Sequence, residues 1–159
     1  MRIAFAITFV VIASYWLAHH RLVAACVAID RPTIIVNLVL IAAVVLLPFS
    51  TASVGDPSVA DLPLPTVLMA VNVAIVSLLH LAVWLVVAHR GLLDHTPTPG
   101  ERSDRVINGL ATPAVFLISV PIAYLASPDA ARLSWLALLA INPAVGSWTA
   151  RARRLGSEG

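Results

Sequence analysis

Five long stretches without a charged side chain constrain this chain more than any other feature of its sequence. They cover residues 3–20, 33–48, 66–88, 106–126 and 133–148. Each approaches the roughly 20 residues that the hydrocarbon core of a bilayer requires of a helix. The whole chain is 60% hydrophobic and 11% charged, with a mean hydropathy of +0.94, whereas a soluble domain averages about 25% charged. We therefore expect an all-α, polytopic transmembrane helix bundle with five spans.

These spans form one domain. We expect residues 1–154 to make up a single transmembrane domain and residues 155–159 a short cytoplasmic tail. The apolar start is not typical of a cleaved signal peptide, because Trp16, His19, His20 and Arg21 stand where small residues should mark the cleavage site. Pro48 is expected to end the second span, and residues 94–104 are interpreted as a solvated linker.

The arginines are distributed unevenly between the connections, and this distribution predicts the topology. Eight of them fall in the segments after the first, third and fifth spans, which share one side: Arg21, Arg31, Arg90, Arg102, Arg105, Arg151, Arg153 and Arg154. The opposite side carries Arg2 and Arg132. Because basic loops stay in the cytoplasm, we expect a cytoplasmic C-terminus. The compact spans and a positive charge carried by arginine alone suit a bacterial inner (cell) membrane.

Several classes of function are disfavoured. The arginines form no basic stripe with interleaved aromatics, so nucleic-acid binding is not expected. The single cysteine, Cys26, allows no intramolecular disulfide and no cysteine-based zinc site. No nucleophile–base pair, phosphate-binding loop or carboxylate pair occurs, so neither an enzyme nor a cofactor is expected.

Sparse polar residues within the spans are the candidate functional groups. Trp16 and His20 are four residues apart and share a helix face, while His19 points about 100° away. Asn37 lies about one turn into the second span, at a depth that could bring it near these histidines. The third span carries Asn72, Ser77 and His80 and the fifth Asn142. All of these also suit plain anchoring or helix–helix hydrogen bonding. A haem ligated by a pair such as His20 and His80 is a weaker alternative.

One run of these residues resembles a known family. The run Tyr15-Trp16-Leu-Ala-His19-His20-Arg21, followed by Asp30-Arg31, Asn37-Leu38 and Leu46 to Thr51, is similar to bacterial relatives of the lysosomal potassium channel, the transmembrane protein 175 family. The later stretch from Pro113 to Ala123, followed by Trp135, resembles that family's fifth and sixth helices.

The resemblance implies a function. Members of the family have six transmembrane helices, assemble as tetramers and conduct potassium, and in some members protons, without a Thr-Val-Gly-Tyr-Gly filter. Their first helix lines the pore and carries an Arg-x-x-x-Phe-Ser-Asp motif that packs against polar residues of the next two helices. By matching motif, Trp16, His19, His20 and Asn37 would be these packing partners. The implied function is a subunit of a potassium-selective cation channel, a homo-tetramer in the lipid bilayer.

The sequence departs from the family in one respect. The Arg-x-x-x-Phe-Ser-Asp motif does not occur, since Arg2 is followed four positions later by Ala6. The five spans would correspond to the family's second to sixth helices. We therefore expect a truncated member of the family, with a non-conducting membrane scaffold or partner-binding protein as the alternative.

Overall fold

The computed structural model describes residues 13, 15–59 and 61–136, and within these ranges the chain is mostly helical. Residues 15–24 form α1, the described part of the first predicted span. The other helices are α2 (Arg31–Val45), α3 (Leu47–Val54), α4 (Pro63–His89), α5 (Pro99–Leu125) and α6 (Pro128–Ser134), with a 3₁₀ turn at Pro57–Val59. Most of the first and fifth predicted spans lies outside the described residues, so the count of five spans stays a prediction.

Three helical segments are long and apolar enough to cross a bilayer within the described ranges: Arg31–Val54, Pro63–His89 and Pro99–Leu125. Their exposed surface is itself apolar. Along α2, Ile35, Leu38 and Val45 are more than half exposed, while only Thr33, Leu40 and Ala43 are buried. Lipid is the solvent in which such a surface is stable, so the protein is an integral membrane protein.

Helix α4 is the centre of the bundle. It contacts α5 most extensively and also packs on α2, α3 and α6. The helices α4 and α5 approach closely at Gly109, where an added Cβ atom would lie 2.9 Å from Leu81 Cδ1. A glycine at this position therefore lets the two helices pack against each other without a side chain between them.

The second span differs from its prediction at Pro48. The helical path does not stop there, because α3 follows α2 after the single residue Leu46, whose backbone stays right-handed. Proline has no N–H and disrupts the bond to the residue four positions earlier, but it fits the first turn of a new helix. The result is a broken helix of 24 residues from Arg31 to Val54.

Helix α5 begins within the segment interpreted as a linker, and this corrects that interpretation for residues 99–104. Thr98 and Glu101 form a capping box at its start, with Thr98 Oγ1 accepting from the Glu101 N–H at 3.2 Å. The box satisfies N–H groups that have no partner inside the helix. The charged side chains of these residues lower the local hydropathy, which favours a linker in the sequence, but the residues are helical.

The connections at one end of the bundle are bonded to each other. Helix α4 ends in a Schellman motif, in which Gly91 adopts φ 65° and Leu92 N–H donates to Val87 O. The chain then pairs with the α1–α2 connection through Val27 N–H to Leu92 O and Asp94 N–H to Ala25 O, both at 2.9 Å.

An ion pair between Asp30 and Arg90 joins the same two connections. The segments predicted to share one side, those with Arg21, Arg31 and Arg90, therefore meet at one end of the bundle. Arg132 lies at the other end, where its Nε donates to Thr66 Oγ1 near the start of α4 at 3.0 Å. This arrangement agrees with the sides assigned from the arginine distribution.

Candidate functional site: a histidine pair between α1 and α4

Helix α1 is fixed to α4 by a hydrogen bond between side chains. Tyr15 Oη and Ser77 Oγ lie 2.7 Å apart, and the tyrosine is partly buried. One turn further along each helix, His19 follows Tyr15 and His80 follows Ser77, which brings the two imidazole rings to the same level. Their centroids are 6.3 Å apart and the planes meet at 68°.

The neighbouring His20 has different surroundings. Its ring is stacked on Trp16 with a centroid distance of 5.2 Å and an interplanar angle of 6°, and both residues are exposed. The structure thus separates His19 from Trp16 and His20 in the way that helix geometry predicted. It also places His80 beside His19, not beside the His20 considered for a haem pair.

Two cavities adjoin the histidine pair. One of about 210 Å³ lies between α1 and α2 and is bounded by His19, His80, Tyr15, Trp16 and four aliphatic side chains of α2. The other, of about 220 Å³, lies towards α5 and shares Tyr15 and His80 with the first. Its remaining walls are more polar and include Ser77, Asn108 and Thr112.

Each histidine of the pair has one buried atom without a hydrogen-bond partner, and Asn37 of α2 has a third such atom. They are His19 Nδ1, His80 Nε2 and Asn37 Oδ1, none of which has a partner among residues 13, 15–59 and 61–136. Buried polar atoms in native proteins nearly always have a partner. These atoms are therefore groups that a further helix, a water molecule or a ligand can satisfy.

Asn37 is apart from the other predicted site residues. It lies in the first half of α2, whereas the α2 side chains that line the cavity beside His19 begin at Leu40. The structure thus brings Trp16, His19 and His20 together on α1 and adds His80 from α4. The roles assigned to Trp16, His19, His20 and Asn37 stay predictions.

Sequence reasoning did not single out the polar residues of α5. Asn108 and Thr112 are four residues apart and so share a helix face, which is the signal that could have identified them. Asn108 Nδ2 donates to Asp104 O at 2.7 Å, so its side chain also bonds within its own helix.

The chemistry available to this site is that of neutral hydrogen bonding and packing. Among the residues that the structure describes, no three histidine, cysteine, aspartate or glutamate side chains are grouped as metal ligands. Each histidine can donate or accept one hydrogen bond with a polar group that enters an adjoining cavity.

The comparisons with known proteins agree with the resemblance noted from the motifs. The family model described as "Endosomal/lysosomal potassium channel TMEM175" matches residues 1–48. All four predicted site residues fall within this segment. The resemblance to that family is thus confirmed over residues 1–48. The family is one of ion channels, not of enzymes, as expected. The later stretch from Pro113 lies outside the matched residues. No curated protein and no solved structure matches the chain.

Proposed function

We propose that this protein is a subunit of a potassium-permeable cation channel. The observation that carries the proposal is the family match over residues 1–48, which contains the tryptophan, the two histidines and Asn37. The apolar surfaces of the three membrane-crossing helices are consistent with it. A pore formed by one helix from each of several subunits needs no carbonyl filter, since a hydrophobic constriction can gate by dewetting.

The role of the site in this channel is to hold a pore helix. His19 Nδ1 and Asn37 Oδ1 are buried and have no partner among the described residues, and a polar pore-lining helix would supply one. His80 Nε2 adds a third such atom from α4. The residues Trp16, His19, His20 and Asn37 thus act by packing and hydrogen bonding, not by contacting the ion.

The assembly we propose is a homo-tetramer in a bacterial inner membrane, with a cytoplasmic C-terminus. The grouping of the arginine-bearing connections at one end of the bundle supports the orientation, because basic connections remain on the cytoplasmic side. Proton permeability is proposed together with potassium permeability, and the same flux assay measures both.

The test is ion flux in liposomes. The 159-residue chain is reconstituted, and potassium and proton fluxes are measured against empty vesicles. We expect a potassium flux that falls at least severalfold in His19→Leu. The matched control is His89→Leu, the same exchange at an exposed position at the end of α4, which should leave the flux unchanged. Flux no greater than that of empty vesicles would refute conduction by this chain.

A second function is favoured by one observation. His19 Nδ1 and Asn37 Oδ1 are buried without a partner among the described residues, and a helix of another membrane protein can supply one. If another chain contributes that helix, this protein is a membrane scaffold that binds it. Absence of flux together with co-purification of a defined membrane partner, lost in His19→Leu, would support this function over the first.

A further inference from the structure

A third cavity lies at the arginine-bearing end of the bundle, and neither His19 nor His80 lines it. Its volume is about 360 Å³, and it is an open cavity bounded by α1, α4, α5 and the connection between α4 and α5. One part of its wall is apolar and includes Leu22, Trp84 and Leu93. The other part carries the ionisable side chains of Arg21, Arg105, Glu101 and His95.

The depth of this cavity corresponds to the headgroup layer of a bilayer. Helix α4 has 27 residues and is therefore about 40 Å long, whereas the hydrocarbon core is about 30 Å thick. Trp84 stands five residues before the last residue of α4, or about 8 Å from that end. Tryptophan is enriched at this level, where hydrocarbon meets headgroups.

The two arginines of the cavity are available to an anion. The Arg105 guanidinium lies over the Trp84 ring, with 5.9 Å between Cζ and the ring centroid. Among the described residues this guanidinium makes no hydrogen bond, so its N–H donors are available to a ligand. Neither Arg105 nor Arg21 forms an ion pair in the part of the chain that the structure describes.

The carboxylate in the cavity does not cancel this charge. Two guanidinium groups and one carboxylate leave one positive charge when His95 is neutral. Glu101 Oε2 already accepts hydrogen bonds from the backbone N–H and the hydroxyl of Thr98, at 2.9 and 3.0 Å. His95 Nδ1 is bonded to Asp94 Oδ1 at 2.7 Å.

From this combination we propose that the cavity binds the phosphate headgroup of an anionic phospholipid. The phosphate oxygens would accept hydrogen bonds from Arg21 and Arg105, and the first part of an acyl chain would lie along Leu22 and Trp84. Basic pockets between transmembrane helices are suited to such headgroups, and arginine is suited to phosphate because its N–H groups form a planar fork. A free phosphate ion would use the arginines but not the apolar wall.

The test uses the full chain purified in detergent and native mass spectrometry. Dioleoyl-phosphatidylglycerol and dioleoyl-phosphatidylcholine, which differ only in the headgroup, are titrated separately. We expect one phosphatidylglycerol per chain to bind at least tenfold more tightly than phosphatidylcholine. Each of Arg21→Gln and Arg105→Gln should weaken the binding of phosphatidylglycerol about fivefold. An arginine near an anionic lipid headgroup contributes about this much to the affinity.

Arg102→Gln is the matched control, because Arg102 is exposed on the same helix one turn from Arg105 and does not line the cavity. It should leave the affinity for phosphatidylglycerol unchanged. Equal loss in all three variants would overturn the proposal in favour of general charge attraction, and equal binding of the two lipids would overturn it as well.

A competition arm separates a lipid from a free anion. Inorganic phosphate at millimolar concentration should not displace the lipid. Displacement at such concentrations would assign the cavity to a soluble phosphate and overturn the lipid proposal. If Arg105→Gln does not yield a monodisperse protein, Arg21→Gln decides alone, since Arg21 is exposed.

Discussion

Asn72 Nδ2 donates a hydrogen bond to Ser50 Oγ at 2.9 Å, and this contact joins α4 to the short helix that follows Pro48. Both side chains are buried. Ser50 Oγ in turn donates to Leu46 O at 3.1 Å, the carbonyl at the break between α2 and α3. This polar link thus helps to fix the broken helix to the centre of the bundle.

Replacing Asn72 by alanine should lower stability by about 0.6 to 1.7 kcal/mol, the interval between the average and the maximum found for side-chain hydrogen bonds between membrane helices. The measurement is unfolding in mixed detergent micelles. The single variants Asn72→Ala and Ser50→Ala and the double variant complete a double-mutant cycle. Additive losses would mean that the two residues do not interact.

Tyr15→Phe removes one hydroxyl and with it the bond to Ser77. We expect a loss of stability in the same range, because the bond joins α1 to α4 in a partly buried position. The same unfolding assay measures it. Tyr124→Phe makes an identical chemical change at a side chain that is 61% exposed and should have no effect. Equal results for the two variants would contradict the role of the Tyr15–Ser77 bond.

Gly109→Val should separate α4 from α5. An added Cβ would lie 2.9 and 3.2 Å from the two methyl carbons of Leu81, and overpacking of this kind costs about 1 to 3 kcal/mol. The effect is read as a lower midpoint of thermal unfolding in detergent.

The control for this contact is Gly100→Val, since a Cβ at Gly100 meets nothing within 4 Å. Combining Gly109→Val with Leu81→Ala should cost less than the sum of the two single changes, because the smaller side chain makes room. A fully additive double variant would show that the valine acts elsewhere.

Asp30 should make the stability of the protein dependent on pH. Hydrogen bonds from Thr33, whose hydroxyl and N–H donate at 2.7 and 3.1 Å, lower the pKa of its carboxyl below the ordinary value of 3.8, and Arg90 adds to this. A group whose pKa is lowered by folding stabilises the protein above its unfolded pKa, and this contribution is lost as the pH falls through the folded pKa.

The thermal midpoint of Asp30→Ala should therefore lie below that of the unchanged protein at pH 7. The difference should shrink as the pH is lowered below 3.8. Asp61→Ala is the control, because Asp61 is exposed and caps no helix. A difference that is constant between pH 7 and pH 3 would contradict the ionised cap.

The sequence predicted the described membrane-crossing helices because hydropathy depends on composition over many residues. The third predicted span, Thr66 to Ala88, covers almost the whole of α4. Hydropathy did not predict the first turns of α5, where Glu101 and Arg102 are helical because of the capping box at Thr98. It also did not predict the continuation beyond Pro48, because a proline both ends one helix and starts the next.

The candidate site was predictable in its local part. The 3.6-residue period was enough to place Trp16 and His20 on one face and His19 on another. The partner of His19 was not predictable in this way, because it depends on how deeply α1 packs beside α4. The pairing of Ala25 and Val27 with Leu92 and Asp94 is likewise a tertiary contact between polar backbone groups, which no side-chain pattern in either connection indicates.

That pairing links the lengths of two segments that are about sixty residues apart in the chain. An insertion or deletion in the α1–α2 connection would shift Asp30 out of register with Arg90 unless the α4–α5 connection changed with it. Relatives should therefore vary in these two connections together. For protein engineering, an epitope tag or fluorescent label belongs elsewhere, and the exposed turn around Gly55 and Asp56 at the opposite end of the bundle is the suitable place for it.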